Sequence, residues 1–241
     1  KSTANSAFWL SFAEKLRVKK ENGEKGPFVK ICGLTSAHDA LHAASVGACF
    51  LGFVFYHKSK RSVQATAVKE SALLLEKQGL RGKVTLVAVI VDPASAEAKE
   101  AYSLLQEGFI DIIQCHGIAC AKEFLADKEL CNLPHYCAVN VSSQKDLEEV
   151  TFLSSLGEPR ILLDSSSQGL AGGSGKRIES QIIEDFAKQN RLWLAGGVDA
   201  DNVSSIISHL SPELVDTASG VEQSPGVKDK EKVSAFLANC N

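Results

Sequence analysis

Three ionisable side chains lie in or directly after short apolar stretches of the sequence. Cys32 follows "FVKI", Asp164 ends "ILLD", and Asp216 lies within "LVDT". A carboxyl group in apolar surroundings has a raised pKa, so it can hold a proton near neutral pH and donate it. We predict a catalytic role for Asp164, at the end of its stretch, and a supporting role for Asp216, which lies deeper. Structural pairing is the alternative for both.

Three glycine-rich stretches follow successive late apolar stretches and indicate a phosphate site. Glycine allows close approach of the backbone to an anion, and the N–H groups at the start of a following helix can bind phosphate. Each stretch alone is also compatible with an ordinary turn. The stretches are "GGSG" (Gly172, Gly173, Ser174 and Gly175), "AGG" (with Gly196 and Gly197) and "ASG" (with Ser219 and Gly220).

Other polar residues lie at the ends of earlier stretches. Arg61, in "YHKSKR", is a candidate for binding a carboxylate, because guanidinium binds that group in bidentate fashion. Gln114 and His116, in "QCHG", are further candidates for contacts with a ligand. For a lone loop histidine such as His57 or His116, a surface position is nevertheless the favoured interpretation.

These residues need a scaffold that gathers the ends of many strands. Strands that alternate with helices pair in parallel, and eight such units in 241 residues match an α/β fold of the (β/α)8 TIM barrel type. A doubly wound sheet usually has fewer strands. In a barrel, the active site lies where the strands end. The strand-like stretches begin near Phe28, Cys49, Lys83, Ile110, Tyr136, Arg160, Leu192 and Leu214, and each precedes a helical pattern, the sixth at about 178–188.

The composition favours a small-molecule partner. The chain has 26 lysines and arginines against 29 aspartates and glutamates, so it offers no basic field for nucleic acid or an anionic membrane. No apolar stretch approaches the roughly 20 residues of a membrane span. The seven cysteines lack a disulfide spacing and a CxxC zinc knuckle, so we expect reduced thiols, no metal and a cytoplasmic location.

The first 26 residues differ from the rest of the chain. Phe8, Trp9, Phe12 and Leu16 can share one face of a helix, and "KKENGEKGP" has the composition of a linker. We therefore divide the chain into a helix and linker at 1–26 and a catalytic barrel at 27–241. The helix is interpreted either as a remnant of a fused upstream domain or as a cap on the barrel.

Six stretches resemble, in order, those of the phosphoribosylanthranilate isomerase family of tryptophan biosynthesis. They are "VKICGLT", "GFVFYHKSKR", "DIIQCHG", "ILLDSSSQGLAGGSGK", "LAGGVDADNV" and "VDTASGVEQSPGVKD", and the resemblance runs from about residue 28 to the end. It implies a (β/α)8 barrel and an Amadori rearrangement without cofactor. By matching motif it makes Cys32 the general base, Asp164 the general acid and Arg61 the ligand of the anthranilate carboxylate.

The resemblance leaves alternative functions open, and three residues differ from the family pattern. Indole-glycerol-phosphate synthase and the histidine-pathway isomerase are barrels of similar chemistry; the latter has an aspartate where this chain has Cys32. A silent barrel that binds only a ligand or partner domain is the rival from another class. Asp92, Cys115 and Ala218 depart from the family pattern, and they bear on affinity more than on chemistry. A fused or associated indole-glycerol-phosphate synthase domain is the partner that the first 26 residues suggest.

Lys30 is expected to point into the barrel together with Cys32. Side chains alternate along a strand, so the two share a face about 7 Å apart. A buried ammonium needs a partner, and strand 8, which contains Asp216, is the neighbour of strand 1 in a closed barrel. We predict a Lys30–Asp216 ion pair whose cation lowers the pKa of Cys32 toward neutral.

Overall fold

Eight parallel strands close into one barrel in the computed structural model, which describes residues 3–165, 183–184, 187–188 and 191–241. Each strand begins within about two residues of its predicted start, and the predicted (β/α)8 fold is confirmed. The strands are β1 (Phe28–Ile31), β2 (Phe50–Phe55), β3 (Thr85–Ile90), β4 (Ile112–His116), β5 (His135–Asn140), β6 (Ile161–Asp164), β7 (Trp193–Ala195) and β8 (Leu214–Thr217).

Helices follow the strands and surround the barrel. The predicted helix at 178–188 falls largely outside the described residues. No helix in the described part of the chain has the length and apolar character that a bilayer crossing requires. The helices are α1 (Ala4–Glu21), α2 (Ala37–Ser45), α3 (Ala65–Lys77), α4 (Ala96–Gln106), α5 (Ile118–Ala126), α6 (Gln144–Ser155), α7 (Val203–Leu210) and α8 (Lys230–Asn239).

The strands are buried on both faces, as a parallel barrel requires. Along β2, for example, Leu51 and Phe53 pack into the layer beneath the helices, whereas Phe50 belongs to a separate cluster inside the barrel. This alternation sends every second side chain inward. The inward positions at the strand ends therefore form the wall of any site at the barrel mouth.

A short antiparallel hairpin, which the sequence analysis did not predict, follows β8. It consists of β9 (Glu222–Ser224) and β10 (Val227–Lys228) and is preceded by a 3-10 turn at Ser219–Val221. The hydroxyl of Thr35 donates a hydrogen bond of 2.5 Å to the carbonyl of Gly226. The hairpin is thereby joined to the loop that follows β1.

Helix α1 covers the N-terminal end of the barrel. Phe12 is only 4% exposed, and its ring lies 5.4 Å from that of Phe28 and 5.6 Å from that of Trp193. Phe8, Trp9 and Leu16 pack against the same interior cluster, so the predicted apolar face is confirmed. This packing favours the interpretation as a capping helix. The division of the chain near residue 26 stays a prediction.

Truncation of the Phe12 ring tests this packing. We expect Phe12→Ala to lower the free energy of unfolding by roughly 3–5 kcal/mol, because it leaves a cavity against four aromatic rings. Leu10→Ala is the matched control on the same helix, since Leu10 is 70% exposed and should cost little. Denaturant unfolding gives both values. Equal effects of the two substitutions would show that α1 does not cap the barrel.

Candidate active site

A cavity of about 480 Å³ opens at the C-terminal ends of the strands. Its volume suits a small organic ligand. Gly220 lies beside the cavity in the 3-10 turn, and Gly172, Gly173, Ser174 and Gly175 lie outside the described residues. The sequence-predicted residues that line the cavity are Cys32, Arg61, Gln114, His116, Asp164, Gly196, Gly197, Asp216 and Ser219.

Cys32 and Asp164 reach the cavity from the ends of β1 and β6. The backbone N–H of Cys32 donates to the carbonyl of Thr217 at 2.9 Å, which extends the β1–β8 pairing to the thiol. Asp164 is the last residue of β6 and is half-buried, in register with Asn140 on one side and Ala195 on the other. Both candidate proton-transfer groups are thus held by strand pairing rather than by loops.

Lys30 and Asp216 form a buried ion pair beneath Cys32. They are register partners on β1 and β8, and Nζ of Lys30 lies 2.5 Å from Oδ2 of Asp216. Burial alone would lower the pKa of Lys30, but attraction to Asp216 and Cys32 raises it well above the ordinary value. The predicted pair is confirmed, and Lys30 is a buried cation.

Gly52 on β2 provides the space for this group. A Cβ atom at Gly52 would lie 2.7 Å from Sγ of Cys32 and 3.2 Å from Cε of Lys30. Neither atom could stay in place beside a larger residue. The sequence analysis did not single out Gly52, and the only signal was a glycine within an otherwise apolar strand.

The pKa of Cys32 differs from the sequence-based expectation. Burial raises the pKa of the thiol, and the opposing attraction of Lys30 does not cancel that effect. The prediction of a thiol pKa lowered toward neutral is therefore wrong for this structure, because desolvation outweighs a cation that already has Asp216 as its partner. Burial likewise raises the pKa of Asp216 despite Lys30.

Arg61 is held by Glu222, a residue that the sequence analysis missed. Nε and Nη2 of Arg61 donate to the two carboxylate oxygens of Glu222 at 2.8 and 2.7 Å. Lys228 completes the group, since its Nζ donates to Glu222 at 3.0 Å and to the carbonyl of Ala218 at 2.9 Å. Among the described residues, Nη1 of Arg61 has no hydrogen-bond partner, so one edge of the guanidinium is available to a ligand.

The remaining polar wall contains Gln114 and His116 on β4. The Tyr136 hydroxyl donates to Oε1 of Gln114 at 2.7 Å, which fixes the amide inside the barrel. Burial lowers the pKa of His116, and the nearby Asp164 carboxylate only partly opposes it, so the imidazole is neutral near pH 7. His57 is exposed, as its surface interpretation predicted, and it pairs with Glu97. For His116, which ends β4 and lines the cavity, the surface interpretation is wrong.

The chain matches a known family over nearly its whole length. The sequence profile described as N-(5'phosphoribosyl)anthranilate (PRA) isomerase matches residues 29–239. The chain belongs to this family. A Pseudomonas putida N-(5'-phosphoribosyl)anthranilate isomerase is 36% identical over 209 residues, which are 86% of this chain and 94% of the relative.

Solved structures of phosphoribosylanthranilate isomerases share the fold. The enzyme from Thermotoga maritima is 32% identical with a TM-score of 0.69, and the match covers 89% of this chain and 98% of that one. A second structure, in complex with reduced 1-(o-carboxyphenylamino)-1-deoxyribulose 5-phosphate, is 30% identical with a TM-score of 0.68 and the same coverage.

The late glycine turns of this phosphoribosylanthranilate isomerase family member meet at one side of the cavity. Gly196 and Gly197 have φ values of +92° and +65°, a region that other residues rarely occupy. A Cβ atom at Gly220 would lie 2.4 Å from the Val198 carbonyl oxygen. Glycine is therefore required where the turns after β7 and β8 pack together.

The three departures from the phosphoribosylanthranilate isomerase pattern have different positions. Asp92 is exposed, and its Oδ1 accepts a hydrogen bond from the N–H of Ala94, so it shapes a loop outside the cavity. Cys115 is fully buried in the layer between strands and helices, as expected for a small apolar residue. Ala218 alone lines the cavity, where it offers no hydroxyl group to a ligand.

Proposed function

We propose that this chain converts N-(5'-phosphoribosyl)anthranilate to 1-(2-carboxyphenylamino)-1-deoxyribulose 5-phosphate, an Amadori rearrangement of tryptophan biosynthesis. The observation that carries the proposal is one cavity, in a member of this family, lined by Cys32, Asp164 and Arg61 together with the late glycine turns. A thiol, a carboxyl and a guanidinium supply the base, the acid and the carboxylate ligand that the reaction needs.

The proposed chemistry begins with Asp164. As a neutral acid it protonates the ring oxygen of the ribose, so the ring opens and an iminium forms at carbon 1. Cys32 as thiolate then removes the proton from carbon 2, which the iminium makes acidic. The resulting enolamine relaxes to the ketone. Both proton transfers use side chains at strand ends, and none requires a cofactor.

The two charged ends of the substrate are assigned to opposite features of the cavity. The phosphate is assigned to the glycine turns that contain Gly196, Gly197, Ser219 and Gly220, with Gly172, Gly173, Ser174 and Gly175 as the third contributor, because backbone N–H groups of such turns bind phosphate. The anthranilate carboxylate is placed at the available edge of Arg61. Gln114, His116 and Asp216 are assigned to the polar wall between these ends.

Loss of the Arg61 guanidinium is expected to weaken substrate binding. We predict that Arg61→Ala raises KM by about 10-fold or more, since a bidentate charged hydrogen bond is worth about 1.5–3 kcal/mol. Glu222→Gln should raise KM by less, because it keeps the guanidinium but loosens its hold. Lys58→Ala, on the same loop and exposed, is the matched control. An unchanged KM in Arg61→Ala would remove Arg61 from the carboxylate site.

Turnover of freshly prepared phosphoribosylanthranilate, followed as loss of its fluorescence, tests the proposed function. The product is identified by NMR as the open-chain ketose phosphate. Formation of an indole product would favour the synthase-like alternative, and turnover of a histidine-pathway aldose instead would favour the other isomerase. Binding of the reduced product analogue without any turnover would indicate a silent barrel.

The cellular context of the chain is proposed from the same observations. All seven cysteines are free in the structure, which suits a reducing cytoplasm. The expected partner is a phosphorylated small molecule. Fusion to an indole-glycerol-phosphate synthase domain is proposed only from the linker composition of "KKENGEKGP", because the packing of α1 itself favours a cap. The mass of the natural polypeptide, read by immunoblot of the source cells, tests it.

A further inference from the structure

Three ionisable groups meet at the base of the cavity, where water is largely excluded. Lys30 is fully buried and Asp216 is 5% exposed, with 2.5 Å between Nζ and Oδ2. The thiol of Cys32 lies against the same glycine, Gly52, that makes room for the lysine stem. The group thus contains one cation and two acids that are able to become anions.

The charges of this group restrict its protonation. If Cys32 and Asp216 were both ionised, the barrel interior would hold two anions against one cation, and burying an uncompensated charge is costly. If neither were ionised, Lys30 would be the uncompensated charge. The stable arrangements therefore carry a single negative charge, on Asp216 or on Cys32, beside the Lys30 ammonium.

Asp216 has a free position for a proton. Its Oδ2 accepts from Lys30, whereas its Oδ1 is buried without a hydrogen-bond partner in the part of the chain that the structure describes. Asp216 also lines the cavity that holds Cys32. Oδ1 can take up a proton while Oδ2 keeps its bond to Lys30.

We propose that Cys32 and Asp216 compete for a single negative charge that Lys30 balances, so that the Cys32 thiolate forms when the Asp216 carboxyl is protonated. This deepens the proposed function, because it explains how a buried thiol becomes a base. Asp216 acts through Cys32, so it is a positioning residue. The role is distinct from the contact with substrate suggested by its place in the cavity wall.

The proposed step is balanced. The S–H bond of Cys32 breaks and its proton passes to water in the cavity that both side chains line, an O–H bond forms at Asp216 with a proton from that water, and the negative charge moves from carboxylate to sulfur. The thiolate then takes the proton from carbon 2 of the substrate, so the group has gained one proton. Asp216 releases that proton to water and Asp164 takes one from water, and the cycle closes without net change.

The neighbouring groups are compatible with one negative charge that is shared by Cys32 and Asp216. Burial raises the pKa of the Asp216 carboxyl and also that of the Cys32 thiol, so both acids favour their protonated forms and compete for one charge. Tyr136, from β5, keeps its proton because burial raises its pKa well above the usual range. The titratable and charged groups that act on Cys32 or Asp216 are Lys30, Arg61, His116, Tyr136, Asp164 and Lys228.

The test measures the thiolate of Cys32 directly. The rate of alkylation by iodoacetamide is followed against pH by mass spectrometry of the Cys32 peptide, because only the thiolate reacts. In the wild type we expect two steps, since coupled acids titrate as a pair. Asp216→Asn should show one step, and the pH at which alkylation is half-maximal should be about one unit or more lower than in the wild type. Lys30→Met should move the midpoint up by a similar amount.

Opposite shifts distinguish sharing from a structural role, which would leave both midpoints alone or move them in the same direction. Asp92→Asn and Lys58→Met change the same charges at exposed sites and are the matched controls. A single-step wild-type profile, or an Asp216→Asn midpoint that stays or rises, would overturn the proposal. The number of steps in the wild-type profile tests the proposal even if a variant does not fold. Alkylation needs no substrate, so failure of the proposed function would show separately, as absence of turnover.

Discussion

Replacement of Cys32 by serine is expected to lower kcat by about 10³-fold or more, because a serine hydroxyl is a far weaker acid than a thiol and does not form the anion that removes a proton from carbon 2. Serine is close in size, so the space opposite Gly52 stays filled. Binding of the reduced product analogue should therefore be nearly unchanged. Steady-state kinetics gives kcat, and calorimetric titration gives the Kd of the analogue.

Cys49 offers a matched control for this substitution. It is half-buried, lies directly before β2 and does not line the cavity. Cys49→Ser should keep wild-type kcat. If Cys32→Ser keeps more than about a tenth of wild-type kcat, Cys32 is not the base.

Asp164→Asn is expected to lower kcat by about 10²-fold to 10⁴-fold, the usual contribution of a general acid. The amide has nearly the shape of the carboxyl but does not donate a proton to the ring oxygen. The strand pairing of residue 164 with Asn140 and Ala195 is made by the backbone and remains. We therefore expect KM to change little, and steady-state kinetics separates the two parameters.

Asp92→Asn is the control for Asp164→Asn. It makes the same chemical change at an exposed loop outside the cavity. Near-wild-type turnover by Asp164→Asn would show that another group is the general acid. Asp216 would be the first candidate, because burial raises the pKa of its carboxyl.

The sequence predicts the frame of this site well. Alternation along a strand and closure of an eight-stranded barrel are enough to pair Lys30 with Asp216, residues 186 positions apart. Helical spacing is enough to find the apolar face of α1 around Phe12. The first combines the alternation of side chains along a strand with the topology of a closed barrel, and the second depends only on the period of a helix.

Other features depend on contacts that no local pattern encodes. The hairpin at Glu222–Lys228 has strands of only three and two residues, too short for a recognisable alternation. Its contact with Arg61 joins residues 161 positions apart. The motif "SGVEQSPGVKD" marked the segment as characteristic of the family, but it did not reveal that Glu222 holds the guanidinium.

The pKa of Cys32 is beyond sequence reasoning for a different reason. It depends on the balance between burial, which raises it, and the Lys30 cation, which lowers it. The sequence predicts the cation but not how much of its charge Asp216 already balances. A sum of large opposing effects requires the three-dimensional positions of all three groups.

The most direct test of the account follows deuterium placed at carbon 2 of the ribosyl group of phosphoribosylanthranilate. We predict that the wild-type product has lost this deuterium to water. We also predict that Cys32→Ser releases the deuterium at a rate at least about 10³-fold lower. Mass spectrometry and NMR of the product measure both. A product that carries the deuterium at carbon 1 would contradict its release to water, and a Cys32→Ser variant that releases it at the wild-type rate would contradict proton removal from carbon 2 by Cys32.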